Sequence, residues 1–309
     1  MLINRQNLTD IFNNFNVIFN KTFQETESMY QSIAMEVPSN TSDETYAWLG
    51  CLPSMREWIG GREITNLEGY SYTIKNKDFE LTVGVNRNDI EDDKIGVYKP
   101  MIQDLAESAK QNPDNLVFGL LAKSFKEKCY DGESFISENH ITIVKNKEII
   151  QSNKGKKKLS AQSYGEARVQ MMNIKNTSGE SLKLIPNLLV VSPQYEAIAR
   201  QIVLSDIING TTNIYKGTSE IMVVPELIDT PEAWFLLCTN RAIKPLIFQN
   251  RRPAKFVSKD KDDDDNVFYD KTYIYGVDSR CNAGYGLWQL AFGSTGEEAP
   301  QVTENSTVN

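Results

Sequence analysis

His140 is the chain's single histidine, and the thiol nearest to it in sequence is Cys129. A thiol with an imidazole base is the arrangement of a cysteine hydrolase, but the residues around this pair carry no recognisable nucleophile context. One histidine also rules out HExxH and any paired-histidine metal site. No GxxxxGK[ST] is present, and Gly155-Lys156-Lys157 follows no strand and glycine that would complete a phosphate loop. Gly284-Tyr285-Gly286 lacks the third glycine of a dinucleotide fingerprint and sits among strands. Asp260 to Asn266 (DKDDDDN) alternates aspartates as an EF-hand does, yet Asp265 stands where glycine is required and Lys271 where the bidentate glutamate belongs. Glu91, Asp92 and Asp93 could do acid-base work, but read more simply as a wet turn at a helix N-terminus, where the dipole favours them. The sequence therefore assigns no catalytic, cofactor-binding or metal-ligating residue, and implies no cofactor.

The elements that would position such residues are clearer. In Lys77–Asn86, Phe79, Leu81, Val83 and Val85 alternate with Glu80, Thr82, Gly84 and Asn86, the pattern of a strand with one wet face. From Pro100 to Phe125 the apolar residues recur at helical spacing, with a kink or one-residue break expected at Asn112-Pro113-Asp114. Tyr70, Tyr72 and Ile74 alternate ahead of the Lys77 strand, and a hairpin across Asn76-Lys77-Asp78 is expected. Near the N-terminus, Leu8, Ile11, Phe12, Phe15, Ile18, Phe19 and Phe23 form one aromatic stripe. Two readings stand open: a terminal helix folded on its own core, or an arm packed on a neighbouring subunit. Tyr46 to Ile59 crowds Trp48, Trp58 and several aliphatics around a proline and a glycine, too greasy for a solvated loop.

Beyond the long helix, His140 lies at the end of a loop, and Ile141 to Ile150 is a short strand pair. Gln151 to Lys158 (QSNKGKKK) is a solvated basic turn. A second unit follows: a helix at 160–175, a buried strand over Leu182–Val191, a helix opened by Ser192-Pro193, and strands at Ile221–Val224 and Ala233–Cys238. Strand character then resumes at Pro245–Gln249, and Val267–Phe292 is rich in Tyr, Phe and Trp with glycines suited to bent antiparallel strands.

A chain of 309 residues with 40% hydrophobic and 24% charged content is a globular protein with one large or two ordinary domains. It has no run long enough to span a membrane and no secretory signal at its start. Cys51, Cys129, Cys238 and Cys281 form no CxxC and read as free thiols. A net charge of -8 argues against a surface that grips phosphate, but suits a protein lying beside nucleic acid without sticking to it.

The blocks TYAWLG (45–50), REWIGGR (56–62), FELTVGVNRNDIEDDKIGVY (79–98), CYDG (129–132), RAIKPLIFQNRR (241–252) and YGVDSRCNAGYGLWQLAF (275–292) occur in one order along the chain. In sequence and order they resemble the HK97-type phage major capsid proteins, and within them the Mu-like major head subunit (gpT) family. One departure is His140-Ile141, where the family shows His-Pro. The resemblance implies an α+β, HK97-like capsid fold. Its parts would be an N-arm (1–44), an extended E-loop hairpin region (45–88), a peripheral domain with a long spine helix (89–159), an inserted α/β axial domain (160–244), and return strands with a C-terminal tail (245–309). It also implies a non-enzymatic homo-oligomer of hexamers and pentamers in an icosahedral shell around double-stranded DNA, without specific DNA binding and without a membrane. A scaffolding protein, a portal and decoration proteins would be partners. With the arm starting near Met1, the scaffold is expected to be a separate protein, and assembly is expected in the host bacterial cytoplasm. Two rivals remain: an encapsulin-like compartment shell of the same fold, and a cysteine hydrolase built on Cys129 and His140.

Overall fold

The computed structural model describes residues 5–50, 71–92, 94–144, 147–208, 210–261 and 263–297. Trp58, Cys51 and the REWIGGR block lie outside the described residues, as does most of the polar tail. The helices are α1 (Arg5–Glu25), α2 (Arg87–Glu91), α3 (Lys99–Lys123), α4 (Ala161–Met172), α5 (Glu196–Leu204) and α6 (Asp265–Asp270). The strands of the first half are β1 (Ala34–Pro38), β2 (Asp43–Thr45), β3 (Thr73–Lys75), β4 (Lys77–Asn86), β5 (His140–Val144), β6 (Lys147–Gln151) and β7 (Lys154–Gly155). Those of the second half are β8 (Leu188–Val191), the short pair β9 (Ile207–Ile208) and β10 (Thr211–Thr212), β11 (Glu220–Val223), β12 (Trp234–Leu237), β13 (Leu246–Lys259), β14 (Thr272–Tyr285) and β15 (Ala291–Ser294).

Two sheets organise these elements. The first has the order β1-β13-β14-β4, built around the long antiparallel β13–β14 hairpin, with α3 and α1 laid against it. The second has the order β11-β8-β12-β15-β7, its three middle strands wholly buried, as expected of apolar runs such as LLVV and WFLL. One large core runs from the proximal end of the first sheet through the second. A separate aromatic core lies under α1 at the distal end of β13–β14.

Several expectations change. The helix does not break at Pro113: α3 continues through it, and Ala109, Lys110, Asn112 and Pro113 line an open groove of about 260 Å3 at the point where one hydrogen bond is lost. Instead Asp114, buried at 7%, turns back to the segment after α1, where its carboxylate accepts from the Ser28 hydroxyl and the Met29 and Tyr30 N–H groups. The hairpin expected across Asn76 does not form. β3 pairs with β2 and β4 with β14, because Asn76 bridges Ser39, Thr41 and Gln249 rather than closing a turn between the two strands. The return of the C-terminal strands to the first sheet holds for β13 and β14 but not for β15, which crosses to pair with β12 of the second sheet. Of the Leu182–Val191 run only β8 is a strand, the left-handed φ of 52° at Lys183 interrupting the earlier part.

The aromatic stripe follows the first of its two readings. Leu8, Ile11, Phe15 and Phe19 are buried against the chain's own hairpin, Phe15 edge-on to Tyr275 at 5.1 Å and Phe12 and Phe19 stacked on Phe256 at 5.6 and 5.1 Å. Lys110 of α3 covers Phe23 from the other side. This removes the stripe from the surfaces that a lone subunit leaves bare.

Candidate assembly surface and a buried histidine cluster

The structure does bring Cys129 and His140 together, but not as a catalytic pair. The loop leaving α3 carries Cys129 and Asp131, and His140 opens β5 with no exposed surface. Asp131 stands between the two: its Oδ1 accepts from the Cys129 thiol and from the Glu133 N–H, both at 3.1 Å, and its Oδ2 is 2.6 Å from His140 Nδ1. Burial, then the Asp131 charge, pushes the Cys129 thiol far above its ordinary range, so no thiolate is available. Burial works against the Asp131 anion, but the bonds from His140 and Cys129 outweigh it and hold the carboxyl below its usual value. The other His140 nitrogen, Nε2, faces Asn153 Oδ1 at 3.2 Å. With both ring nitrogens engaged and the thiol protonated, the cysteine hydrolase reading has no base and no nucleophile.

Asn153, between β6 and β7, is the residue the sequence gave no signal for. Its amide nitrogen faces the Phe135, Trp288 and Ala291 carbonyls at 2.9, 3.2 and 3.1 Å, and its oxygen accepts the Ser137 N–H at 2.8 Å. Trp288 stacks flat on the His140 ring at 4.0 Å. Of these residues only Cys129 and Asp131 lay in one of the colinear blocks together with Trp288 in another, and nothing in either block indicates that they meet.

The remaining sequence candidates are scattered. Glu91 pairs with Arg87, and Asp92 with Lys94, at the surface of α2, away from any cavity partner. The basic turn is neutralised locally: Lys156 pairs with Glu138, Lys157 with Glu166 and Lys158 with Glu232, at 2.8, 2.7 and 3.5 Å. Three of the four lysines of the run thus face carboxylates, Lys154 lying in β7. Gly284 and Gly286 serve packing, because a Cβ on Gly284 would fall 2.5 Å from Ile74. The aspartate-rich run leads into α6 between β13 and β14, where the Asp264 carboxylate accepts the Lys261 N–H and makes no cap bond to the helix. Among the described residues the one group with the spacing of metal ligands is Cys129, Asp131 and His140. Cys129, Cys238 and Cys281 are all buried and free, Cys281 being pushed up to about 11 by burial.

What the surface does carry is apolar side chains on projecting ribbons. Ile141, Ile143 and Ile150 are 49%, 57% and 66% exposed on one face of the β5–β6 hairpin, and Ile141 and Ile150 are cross-strand partners. Phe268 and Tyr269, 74% and 76% exposed, pack against each other on α6 and on nothing else large. Among the described residues the outer edge of β4 has no partner strand, and Leu81 on it is partly bare. β2 and β3 pair with each other, Thr45 standing opposite Thr73. Tyr46 and Leu49 next to β2 are buried, and Trp48 is half-buried against Tyr46.

A long helix on an antiparallel sheet, and a second sheet entered through a linker, make up the fold of HK97-like capsid proteins. Comparison with known proteins agrees. The chain matches the family described as Mu-like prophage major head subunit gpT over residues 8–158, 151–227 and 228–305. It is 31% identical over 297 residues to the major capsid protein of Escherichia phage Mu, covering 96% of this chain and 76% of that protein. Identity is also 31% over 287 residues to the Mu-like prophage FluMu major head subunit of Haemophilus influenzae, with 93% of this chain and 72% of that protein covered. Among solved structures, a chain of the procapsid of bacteriophage JBD30 is similar with a TM-score of 0.62 at 33% identity, across 97% of this chain and 78% of that one. The chain belongs to the Mu-like prophage major head subunit gpT family, and its role is that of a structural protein of a phage head. Among the described residues no helix is long and apolar enough to cross a membrane.

Proposed function

We propose that copies of this chain form the hexamers and pentamers of an icosahedral shell that encloses double-stranded DNA without binding it specifically, and that the protein has no enzymatic activity. Residues 1–44, 45–88, 89–159, 160–244 and 245–309 act as N-terminal arm, E-loop region, peripheral domain, axial domain and return strands with tail. A scaffolding protein, a portal and decoration proteins are the expected partners, and the host bacterial cytoplasm the place of assembly. The observation that carries this reading is the position of the bare apolar groups. The cores beneath both sheets are closed, while Ile141, Ile143, Ile150, Phe268 and Tyr269 sit on hairpins that reach outward. Buried against neighbours at roughly 25 cal/mol per Å2, and repeated around closed symmetry, such groups favour association. The paired lysines of the basic turn and the net charge of -8 keep phosphate contact weak.

The test is sedimentation of purified protein carrying Ile141→Ser, Ile143→Ser and Ile150→Ser together. The parent chain is expected as capsomer-sized or larger particles and the variant as a folded monomer. A variant that assembles like the parent would take this hairpin out of the interface.

A further inference from the structure

The orientation of Asn153 fixes where the protons of the buried cluster lie. Its amide nitrogen faces three carbonyl oxygens, none of which can donate, and its oxygen receives the Ser137 N–H. The amide cannot be turned round, so its oxygen only accepts, and His140 Nε2 at 3.2 Å must carry a hydrogen. On the other side of the ring, Nδ1 lies 2.6 Å from Asp131 Oδ2, with the two side chains 0% and 6% exposed. Were Nε2 the ring's only protonated nitrogen, two lone pairs would face each other at that distance without water. A cation must separate them. Two ligands of one zinc ion, each about 2.0–2.2 Å from it at tetrahedral angles, would stand roughly 3 Å or more apart, so the spacing fits a proton.

The proton's place follows from the neighbours. Asp131 receives three hydrogen bonds, from Cys129, Glu133 and His140, each of which favours the carboxylate form. The Trp288 indole lies parallel to the His140 ring at 4.0 Å and 3°, presenting its electron-rich face to a charged ring. We infer that His140 is an imidazolium clamped between Asp131 and Asn153, and that this ion pair is a proton-dependent latch fastening the inter-sheet linker to the C-terminal return at Trp288.

The latch sits where the chain crosses between sheets twice. The first crossing runs from α3 through β5 and β6 to β7, and the second from β14 through Trp288 to β15. Asn153 joins them, its own carbonyl accepting the Gly293 N–H. The groups facing the pair are few. Cys129 and Glu133 share the loop with Asp131; Tyr130 and Lys175 line the adjoining cavity of about 320 Å3; Glu127, Tyr72 and Tyr285 stand behind Cys129. Burial pushes Tyr72 and Tyr285 up, so neither changes charge in acid. Because the Asp131 carboxyl is held below its ordinary value, its contribution is complete above the carboxylate range and is lost as pH falls through the lowered value.

With one histidine in the chain, 15N-histidine labelling reports on His140 alone. At pH 7 the wild-type nitrogen spectrum should show both ring nitrogens protonated. In D131N one should become unprotonated, and in C129S, which keeps the pair, neither should change. The unfolding constant of D131N should exceed wild type about tenfold or more at pH 7, the gap closing as pH falls below the ordinary carboxylate range and Asp131 protonates in the parent. One unprotonated ring nitrogen in the wild-type spectrum would overturn the latch, and so would stoichiometric zinc retained through dialysis and released by chelator together with a change in the ring signals. The wild-type spectrum decides even if D131N fails to fold, and it does so independently of shell assembly.

Discussion

At the junction of the sheets the Asn153 side chain alone meets five backbone and ring partners, whereas at the far end of the long hairpin α1 is held by Phe12, Phe15 and Phe19 lying on Phe256 and Tyr275. The two regions bury different kinds of side chain, polar and titratable groups at the junction and aromatic and aliphatic ones under α1. Ring packing rewards area and tolerates small shifts, so the α1 end can give when a neighbour presses on it. A chain of directional bonds in a dry site permits one geometry, and an orphaned member costs its full desolvation. The division is a rigid crossing between sheets, and apolar groups packed ring on ring or left bare at the extremities.

That contrast can be broken at either end. Asn153→Ala should be the most damaging change. It leaves the Ser137 N–H, the His140 ring and three carbonyls short of a partner at about 1–3 kcal/mol each, and a loss above roughly 4 kcal/mol by denaturant unfolding is expected. Phe15→Ala at the other end should cost about 3–5 kcal/mol through the cavity it opens beside Tyr275, with the junction's histidine spectrum unchanged. If Phe15→Ala altered that spectrum, the two regions would not be separable. Asp114→Ala removes the acceptor for the turn at Ser28–Tyr30 and should cost about 1–2 kcal/mol, close to a lost helix cap. Phe268→Ser with Tyr269→Ser should leave stability within about 0.5 kcal/mol, because both rings are solvent-facing, while lowering the yield of assembled particles. A large stability loss there would mean that the tip belongs to the subunit's own core.

Legibility in the sequence followed locality. The long α3, the β5–β6 pair, the Ser160-capped α4 and the strands β11 and β12 all lie where period or cap predicts them, since each pattern is written within its own segment. The errors fell on long-range choices. Whether Ile74 pairs with the following strand or with Glu44 depends on Asn76 finding Gln249 some 170 positions later, which no local pattern records. Pro113 marked a break by propensity, but packing against the sheet and the grip of Asp114 on the chain after α1 keep the helix whole. The aromatic stripe was correctly seen as a packing face, while its partner, the distal hairpin, lay in the last third of the chain. Cys129 and His140 stand out for their chemistry, yet of the residues that decide what that chemistry is only Asp131 lies beside Cys129, while Asn153 and Trp288 come from two further places in the sequence. The colinear blocks carry the family by themselves.

The shell reading has one most direct test, electron microscopy of the wild-type protein expressed with its candidate scaffolding protein. Closed particles built from hexamers and pentamers of this chain are the predicted result. A homogeneous, folded monomer under the same conditions, forming neither capsomers nor shells, would contradict it.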